Sequence, residues 1–181
     1  MTSLTNFVHV ALAEDGDANE AAMDRFDCGQ SDLNRFLVRT ARFNQQIGLG
    51  QAWILKPGSK STEVSGYLTM SIASFGIDEL PPRLRRRFRA LATGRIAVPL
   101  IARLAIDRKF QRMGLGARML TFAICNYLEV YDRVGGPFLG VHPKDSDAVR
   151  YYEQFGFTPT LDNEFMILRR SQAERLVNGG H

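Results

Sequence analysis

Arg103-Leu104-Ala105-Ile106-Asp107-Arg108-Lys109-Phe110-Gln111-Arg112-Met113-Gly114-Leu115-Gly116-Ala117-Arg118-Met119-Leu120 decides how the rest of the chain is read. An apolar strand stops at a turn and restarts as a helix whose first turn carries glycine. Backbone N–H groups at a helix N-terminus have no intrahelical acceptor, and the dipole adds roughly half a positive charge there. The layout is therefore an anion cradle, with a phosphate as its natural guest. Gly114 and Gly116 carry no Cβ to hold that guest away from the backbone. Two glycines at this point also suit a plain, tight strand-to-helix connection. The order Gln-x-x-Gly-x-Gly from Gln111 to Gly116, after Leu-Ala-Ile and ahead of Tyr152-Glu153-Gln154-Phe155-Gly156-Phe157, weighs for a ligand loop. No third glycine follows at dinucleotide-fingerprint spacing, and Gly-Lys-Ser/Thr, the mark of a P-loop, is absent.

Working outward, 181 residues with 45% hydrophobic content are enough for one domain, with a core from about residue 7 to 170 and a frayed tail from 171 to 181. The 23 basic and 19 acidic residues give a net charge of +4, which tolerates acidic partners without demanding them. Four of the 23 are lysines (Lys56, Lys60, Lys109, Lys144), leaving nineteen arginines, the side chain whose planar fork matches phosphate oxygens. Cys28 and Cys125 are too few for a disulfide framework or a zinc knuckle and read as reduced packing residues; no metal site is expected. Met1 to Val10 lacks a secretory signal, and no apolar run approaches a membrane span, so the expectation is a cytoplasmic protein without membrane contact.

The chain alternates strand-like and helical patterns. Phe7 to Ala13 reads as a strand and Glu14 to Asp24 as an exposed connection. A helix capped by Ser31 or Asp32 carries Leu33, Phe36, Leu37, Thr40 and Ala41 on one face and stops at Gly48 and Gly50. Gln51 to Leu55 and Val64 to Ile72 predict an antiparallel pair around Pro57-Gly58-Ser59. Ile77 to Arg95 reads as a short helix or loop bearing Arg83, Arg85, Arg86, Arg87 and Arg89. Ile96 to Ile106 is a strand in which Pro99 marks a bulge or an edge. A helix over about Gly114 to Val130, apolar on most sides, should pack on the sheet. A strand at Pro137 to Val141, a helix at Ser146 to Gln154 ended by Gly156, a strand at Phe165 to Leu168 and a frayed end at Asn178-Gly179-Gly180-His181 complete the reading.

The Gln111 to Gly116 loop with its downstream Tyr152 to Phe157 run resembles the GCN5-related N-acetyltransferases. A narrower resemblance covers roughly Phe26 to Arg169. Phe26-Asp27-Cys28-Gly29, Leu33-Asn34-Arg35-Phe36-Leu37, Gly66-Tyr67-Leu68-Thr69, Arg103-Leu104-Ala105-Ile106-Asp107 and Tyr152 to Phe157 together look like the acetyltransferase toxins of type II toxin/antitoxin pairs. The resemblance implies an α/β (α+β) fold with a mixed, mostly antiparallel central sheet of about six to seven strands, splayed in the middle and flanked by helices. It further implies acetyl-coenzyme A as cosubstrate, the α-amino group of aminoacyl-tRNA as acceptor, blocked translation, a homodimer and a ribbon-helix-helix antitoxin. Carried onto this chain, Leu104, Ala105 and Ile106 lend strand backbone to the pantetheine arm. Gln111, Arg112, Met113, Gly114, Leu115, Gly116 and Ala117 enclose the pyrophosphate. Tyr152 matches the general acid, and Arg103 lies near the substrate. Asp145, seven positions before Tyr152, stands where many acetyltransferases place an asparagine that touches coenzyme A.

Chemistry supports part of this without the family. Transfer from a thioester to an amine needs a neutral amine, a stabilised carbonyl oxygen and a proton for the departing thiolate. An α-amino group, with a pKa near 7.7 to 8.0, hardly needs a base, whereas lysine near 10.4 does. The nearest base candidates, Glu63 and Asp78, have no persuasive placement. A phenol near pKa 10 stays protonated at neutral pH, which suits Tyr152; Tyr151 points about 100° away on the same helix. The other reading of Tyr152 is a buried tyrosine that only satisfies a carbonyl, and His142 is either a proton relay or a structural strand-end residue. Arg83, Arg85, Arg86, Arg87 and Arg89 form either a solvated connector or a phosphate-gripping patch for the acceptor stem. Two further functions stay open: an acetyltransferase for small amines, antibiotics or protein amino groups, and a non-catalytic acetyl-coenzyme A-responsive binding module.

Overall fold

In a computed structural model, which describes residues 7–14, 20–91 and 93–179, the chain runs in order through β1 (Val8–Ala11), α1 (Glu20–Asp24), α2 (Ser31–Arg39), α3 (Ala41–Gln46), β2 (Gln51–Lys56), β3 (Gly66–Gly76), α4 (Pro82–Arg85), β4 (Arg95–Ile106), α5 (Leu115–Val134), β5 (Phe138–Val141), α6 (Ser146–Glu153), β6 (Thr158–Pro159), β7 (Met166–Arg169) and α7 (Arg170–Asn178). The described strands form one sheet of seven, in the order β1-β2-β3-β4-β5-β7-β6. Strands β1, β2 and β3 pair antiparallel, with Val10 opposite Ile54 and Trp53 opposite Leu68. β5, β7 and β6 are antiparallel too, whereas β4 and β5 run parallel, with Leu100 opposite Gly140 and Ile101 opposite Val141. β5 ends at Val141 while β4 continues from Ala102 to Ile106, so the register leaves that stretch of β4 beyond its parallel neighbour. The sheet is thus mixed and mostly antiparallel.

The chain divides into two units, the first reaching to Ser71 and including Ala102–Ala123, the second comprising Ile72–Ile101 and the chain from Ile124 onward. In the first, Leu12, Met23, Phe26, Leu37, Ile54 and Tyr67 form the core. The Tyr67 hydroxyl donates to the Leu33 carbonyl at 2.9 Å, so the one polar atom on this buried ring is satisfied. In the second, Phe75, Leu80, Val98, Phe138, Phe165 and Ile167 pack together. Gly140 makes room for them: a Cβ there would stand 2.2 Å from the Phe165 ring.

Several sequence expectations need correction. Residues 20–24, read as exposed connection, are helix α1, because Ala22 and Met23 bury against the first core; residues 15–19 of that connection lie outside the described residues. The expected single helix from Ser31 breaks at Thr40 into α2 and α3. Its N-cap is Gln30 without a side-chain bond, and Asp32 instead sits in the first turn, paired with Arg35. Gly48, at φ +75°, ends the helical run, whereas Gly50 admits the close approach of β3, since a Cβ there would meet the Met70 carbonyl at 2.5 Å. Pro99 lies in an interior strand rather than at an edge, and the ladder to β5 begins at the next residue, where an N–H is again available. The expected frayed tail is α7, held by Ala173, which is fully buried, and by Gln172 Nε2, which donates to the Gly156 carbonyl at 2.9 Å; Gly180 and His181 lie outside the described residues.

Candidate active site

In the first unit the predicted loop is built on Asp107. This carboxylate is 4% exposed; Oδ1 accepts from the Lys109 N–H and Oδ2 from the Asp27 N–H, both at 2.9 Å. The Arg108 N–H donates to the Asp27 carbonyl at 2.8 Å, and the Arg108 guanidinium lies 3.1 Å from the Asp27 carboxylate. Asp27 in turn accepts from Asn34 Nδ2 at 2.9 Å. Hydrogen bonds from Asn34 and the Gly29 N–H hold the Asp27 carboxyl below the usual carboxylate range. Gln111 Nε2 donates to the Ile106 carbonyl at 2.9 Å and to the Cys28 carbonyl at 3.0 Å. Its side chain thus braces the loop from behind and leaves anion binding to the backbone.

Beyond this brace the chain turns sharply. Arg112 has φ +61° and Gly114 φ +78°, two left-handed residues on either side of Met113, all exposed. Such turns aim successive N–H groups into a concavity suited to an anion. Leu115, 1% exposed, pins the start of α5, and Arg118 N–H bonds to the Gly114 carbonyl at 3.1 Å. The earlier N–H groups of the turn lack intrahelical acceptors, and no acidic side chain sits in the first turn to take them. Leu104, Ala105 and Ile106 lie on the part of β4 that runs past β5. One residue earlier, the Arg103 guanidinium lies over the Phe36 ring, 3.7 Å from its centroid.

The second unit holds Tyr152, on α6 and 8% exposed, with its ring edge-on to Phe157 and Tyr151 at 5.4 Å each. Burial, with Tyr151 beside it, holds its proton above the ordinary phenol range. Asp145 is the N-cap of α6: Oδ1 accepts from the Ala148 N–H at 2.8 Å, and that bond draws its carboxyl below the usual range.

An acetyltransferase (GNAT) domain family model matches residues 91–166, which span β4, the braced loop, α5 and Tyr152. A "tRNA-acetylating toxin" of Mycobacterium tuberculosis (strain ATCC 25618 / H37Rv) is 28% identical over 147 residues, covering 80% of this chain and 84% of the relative. The chain is an N-acetyltransferase similar to the GNAT enzymes. The toxin AtaT has the same fold in three solved structures. Complexed with acetyl-methionyl-tRNAfMet it is 25% identical, with a TM-score of 0.82 over 94% of this chain and 99% of AtaT. A Tyr→Phe mutant toxin bound to the C-terminus of the antitoxin AtaR is 26% identical, with a TM-score of 0.78 over 94% and 98%. AtaTR bound with AcCoA is 25% identical, with a TM-score of 0.76 over 96% and 99%.

The remaining predicted residues of the acetyltransferase sort by what they touch. His142 Nδ1 lies 3.0 Å from the Glu164 carbonyl, with the ring edge-on to Phe165, so this histidine is tied into the strand-end loop. Glu63 pairs with Lys109 at 3.6 Å. Of the arginine run, Arg83, Arg86, Arg87 and Arg89 are exposed. Arg85 is not one of the free cations: it turns inward and donates to the carbonyls of Asp78 at 2.8 Å and Leu80 at 3.3 Å. No group of side chains suited to a metal ion occurs among the described residues, and none of their helices is long and apolar enough to cross a membrane. Sequence reasoning missed Asp27, Asn34 and Asp107 as the frame of the loop. The signal was there in outline, since Asp27 and Asn34 fall in quoted blocks and Asp107 closes Leu-Ala-Ile-Asp, but their meeting is a long-range event.

Proposed function

We propose that this enzyme transfers the acetyl group of acetyl-coenzyme A to the α-amino group of an aminoacyl-tRNA and so acts as a translation-blocking toxin. The observation that carries the reading is the braced turn directly ahead of α5, with left-handed residues at Arg112 and Gly114, a backbone form suited to holding an anion by its N–H groups. Gln111 through Ala117 hold the pyrophosphate by main-chain donors, and Leu104 to Ile106 offer strand backbone to the pantetheine arm. A thioester so held supplies an activated acetyl group. The chain's own share of the chemistry is small. The amine arrives with a pKa low enough to attack unaided, and Glu63, engaged with Lys109, is not needed as a base. Tyr152 keeps its proton because burial disfavours the phenolate, and in this reading gives it to the departing thiolate. That AtaT is found with an acetylated methionyl-tRNA, and as a Tyr→Phe mutant, supports both the acceptor and the tyrosine.

A homodimer and a small ribbon-helix-helix antitoxin complete the proposal. For the first, exposed Ile72, Leu91 and Val134 border an apolar cavity of about 290 Å³ in the second unit; for the second, AtaT is found with the C-terminus of its antitoxin. The test is acetylation of total charged tRNA by purified protein with labelled acetyl-coenzyme A. Tyr152→Phe is expected to lower kcat by about 10² to 10⁴ with unchanged acetyl-coenzyme A affinity. Acetylation of polyamines or peptides but of no charged tRNA would replace this reading with the small-amine enzyme, and full toxicity of Tyr152→Phe would favour the binding module.

A further inference from the structure

In the second unit an open groove runs between the helical turns that follow β3 and the junction of β7 with α7. Leu84, Phe88 and Phe138 form its floor, and all three are packed into the core of that unit. What the groove offers a ligand is therefore its polar rim. Arg87 lines it from the turns, and Arg169 and Arg170 from the junction, with Glu174 beside them. The three arginines differ in what holds them. Arg170 is engaged within the fold: its guanidinium lies 4.1 Å over the Tyr131 ring, its Nε 2.7 Å from the Glu174 carboxylate and its far nitrogen 3.7 Å from Asp132. That pairing takes up the charge of Glu174 as well. Arg169 is exposed, and its Nε donates to Gln172 Oε1 at 2.8 Å, a neutral acceptor that fixes the side chain and leaves its charge uncompensated. Gln172 is held in turn, its Nε2 donating to the Gly156 carbonyl at 2.9 Å. Arg87 is exposed and has no carboxylate partner among the described residues.

We propose that Arg87 and Arg169 clamp one backbone phosphate of the acceptor RNA in this groove. The assignment rests on the aminoacyl-tRNA reading and adds the β7–α7 junction to its RNA-binding surface. Two uncompensated cations lining one groove repel each other, and an anion between them removes that repulsion. The planar guanidinium fork matches phosphate oxygens in pairs. Because Gln172 already fixes Arg169, a bound phosphate orders one long side chain fewer. An acidic protein segment fits less well, since the apolar side chains of the floor are committed to the core and leave little to hold its own apolar residues. Through Arg87 the groove also continues the run of exposed arginines from Arg83 to Arg89, as a surface that follows an RNA backbone would. Such a contact positions the RNA without reading its sequence.

The experiment measures binding of total charged tRNA over a range of salt concentrations for the wild type, Arg87→Gln, Arg169→Gln, the double variant, Arg169→Lys and Arg175→Gln. Each single glutamine variant in the groove is expected to bind more weakly at low salt. The double variant lowers the slope of log affinity on log salt by roughly 0.7 to 0.9, the share of one phosphate. Arg169→Lys, which keeps the charge, retains the wild-type slope. So does Arg175→Gln, which makes the same change in net charge at an exposed position of α7 outside the groove. Acetyl-coenzyme A affinity stays level throughout, which reports that the variants are folded. A double variant with the wild-type slope overturns the clamp, and a fall twice as large overturns it in favour of two separate phosphates. An Arg175→Gln effect equal to that of Arg169→Gln assigns the change to net charge and overturns it too. Polyglutamate that binds the wild type but not the double variant, with the tRNA slope intact, gives the groove to an acidic protein instead. A wild type that acetylates no charged tRNA overturns the underlying reading, and this assignment with it.

Discussion

At position 9 a histidine lies flat against Phe122, ring centroids 4.1 Å apart and 8° from parallel, with Nε2 buried and unpartnered. Burial first, and the nearby Arg118 guanidinium second, lower its pKa from 6.5 to about 4. The folded chain therefore keeps His9 neutral where the unfolded chain protonates it. As pH falls from 6.5 towards about 4 the unfolded state binds the extra proton and stability declines; below about 4 both states carry it and this contribution is flat. Urea midpoints across that range are expected to fall with pH, and His9→Phe should flatten the dependence by removing one titrating group. An unaltered slope in the variant would assign the acid sensitivity to other residues. Tyr152 illustrates the opposite sign: burial stabilises its protonated form, so loss of the phenolic proton is not expected to limit turnover below the ordinary phenol pKa near 10.

The strand-to-helix connection from Ile106 to Leu115 is held in shape from outside itself. Asp107 and Gln111 reach the Asp27–Gly29 segment, and Asn34 on α2 fixes Asp27. The left-handed turn at Arg112 and Gly114 thus starts from a rigid base. Asp107→Ala would strand the Asp27 and Lys109 N–H groups, and hydrogen bonds to a charged group contribute about 1.5 to 3 kcal/mol each. A loss of about 2 to 4 kcal/mol in urea unfolding is expected, with the acetyl-coenzyme A KM raised about tenfold or more and kcat on saturation much less affected. If kcat fell while KM held steady, Asp107 would have a role other than shaping the cradle. α6 is set by a simpler device, with Asp145 capping its first turn and Gly156, at φ +80°, following its end.

Over the whole molecule a net charge of +4 hides an uneven make-up, with nineteen of the 23 basic residues arginine. Arg83, Arg86, Arg87 and Arg89 all reach solvent from the short helical turns after β3, while Arg85 anchors that segment to the carbonyls of Asp78 and Leu80. A protein that handles charged tRNA grips backbone and shape, because the deep groove of an RNA helix hides its base edges. Replacing those four exposed arginines by glutamate is expected to flatten the salt dependence of tRNA binding, by roughly 0.7 to 0.9 log units per log unit of salt for each phosphate no longer neutralised. Acetyl-coenzyme A affinity, measured by calorimetry on the same variant, should not change. A salt slope equal to the wild type's would make the segment a solvated connector.

Local chemistry in the sequence determined the strand, turn and glycine-bearing helix from Arg103 to Leu120, the β2–β3 pair, α6 and the strands around Phe138 and Met166. Apolar periodicity, proline and glycine each act within a few residues, so these elements are legible without the fold. Only tertiary structure decided the rest. Five-residue α1 has too little periodicity to be seen alone and exists because Met23 buries; α7 holds because Ala173 buries and Gln172 bonds back to the Gly156 carbonyl. Asp27 and Asp107 stand 80 positions apart. Burial and long-range hydrogen bonding arise from which segments the sheet brings together, and no local pattern carries that information.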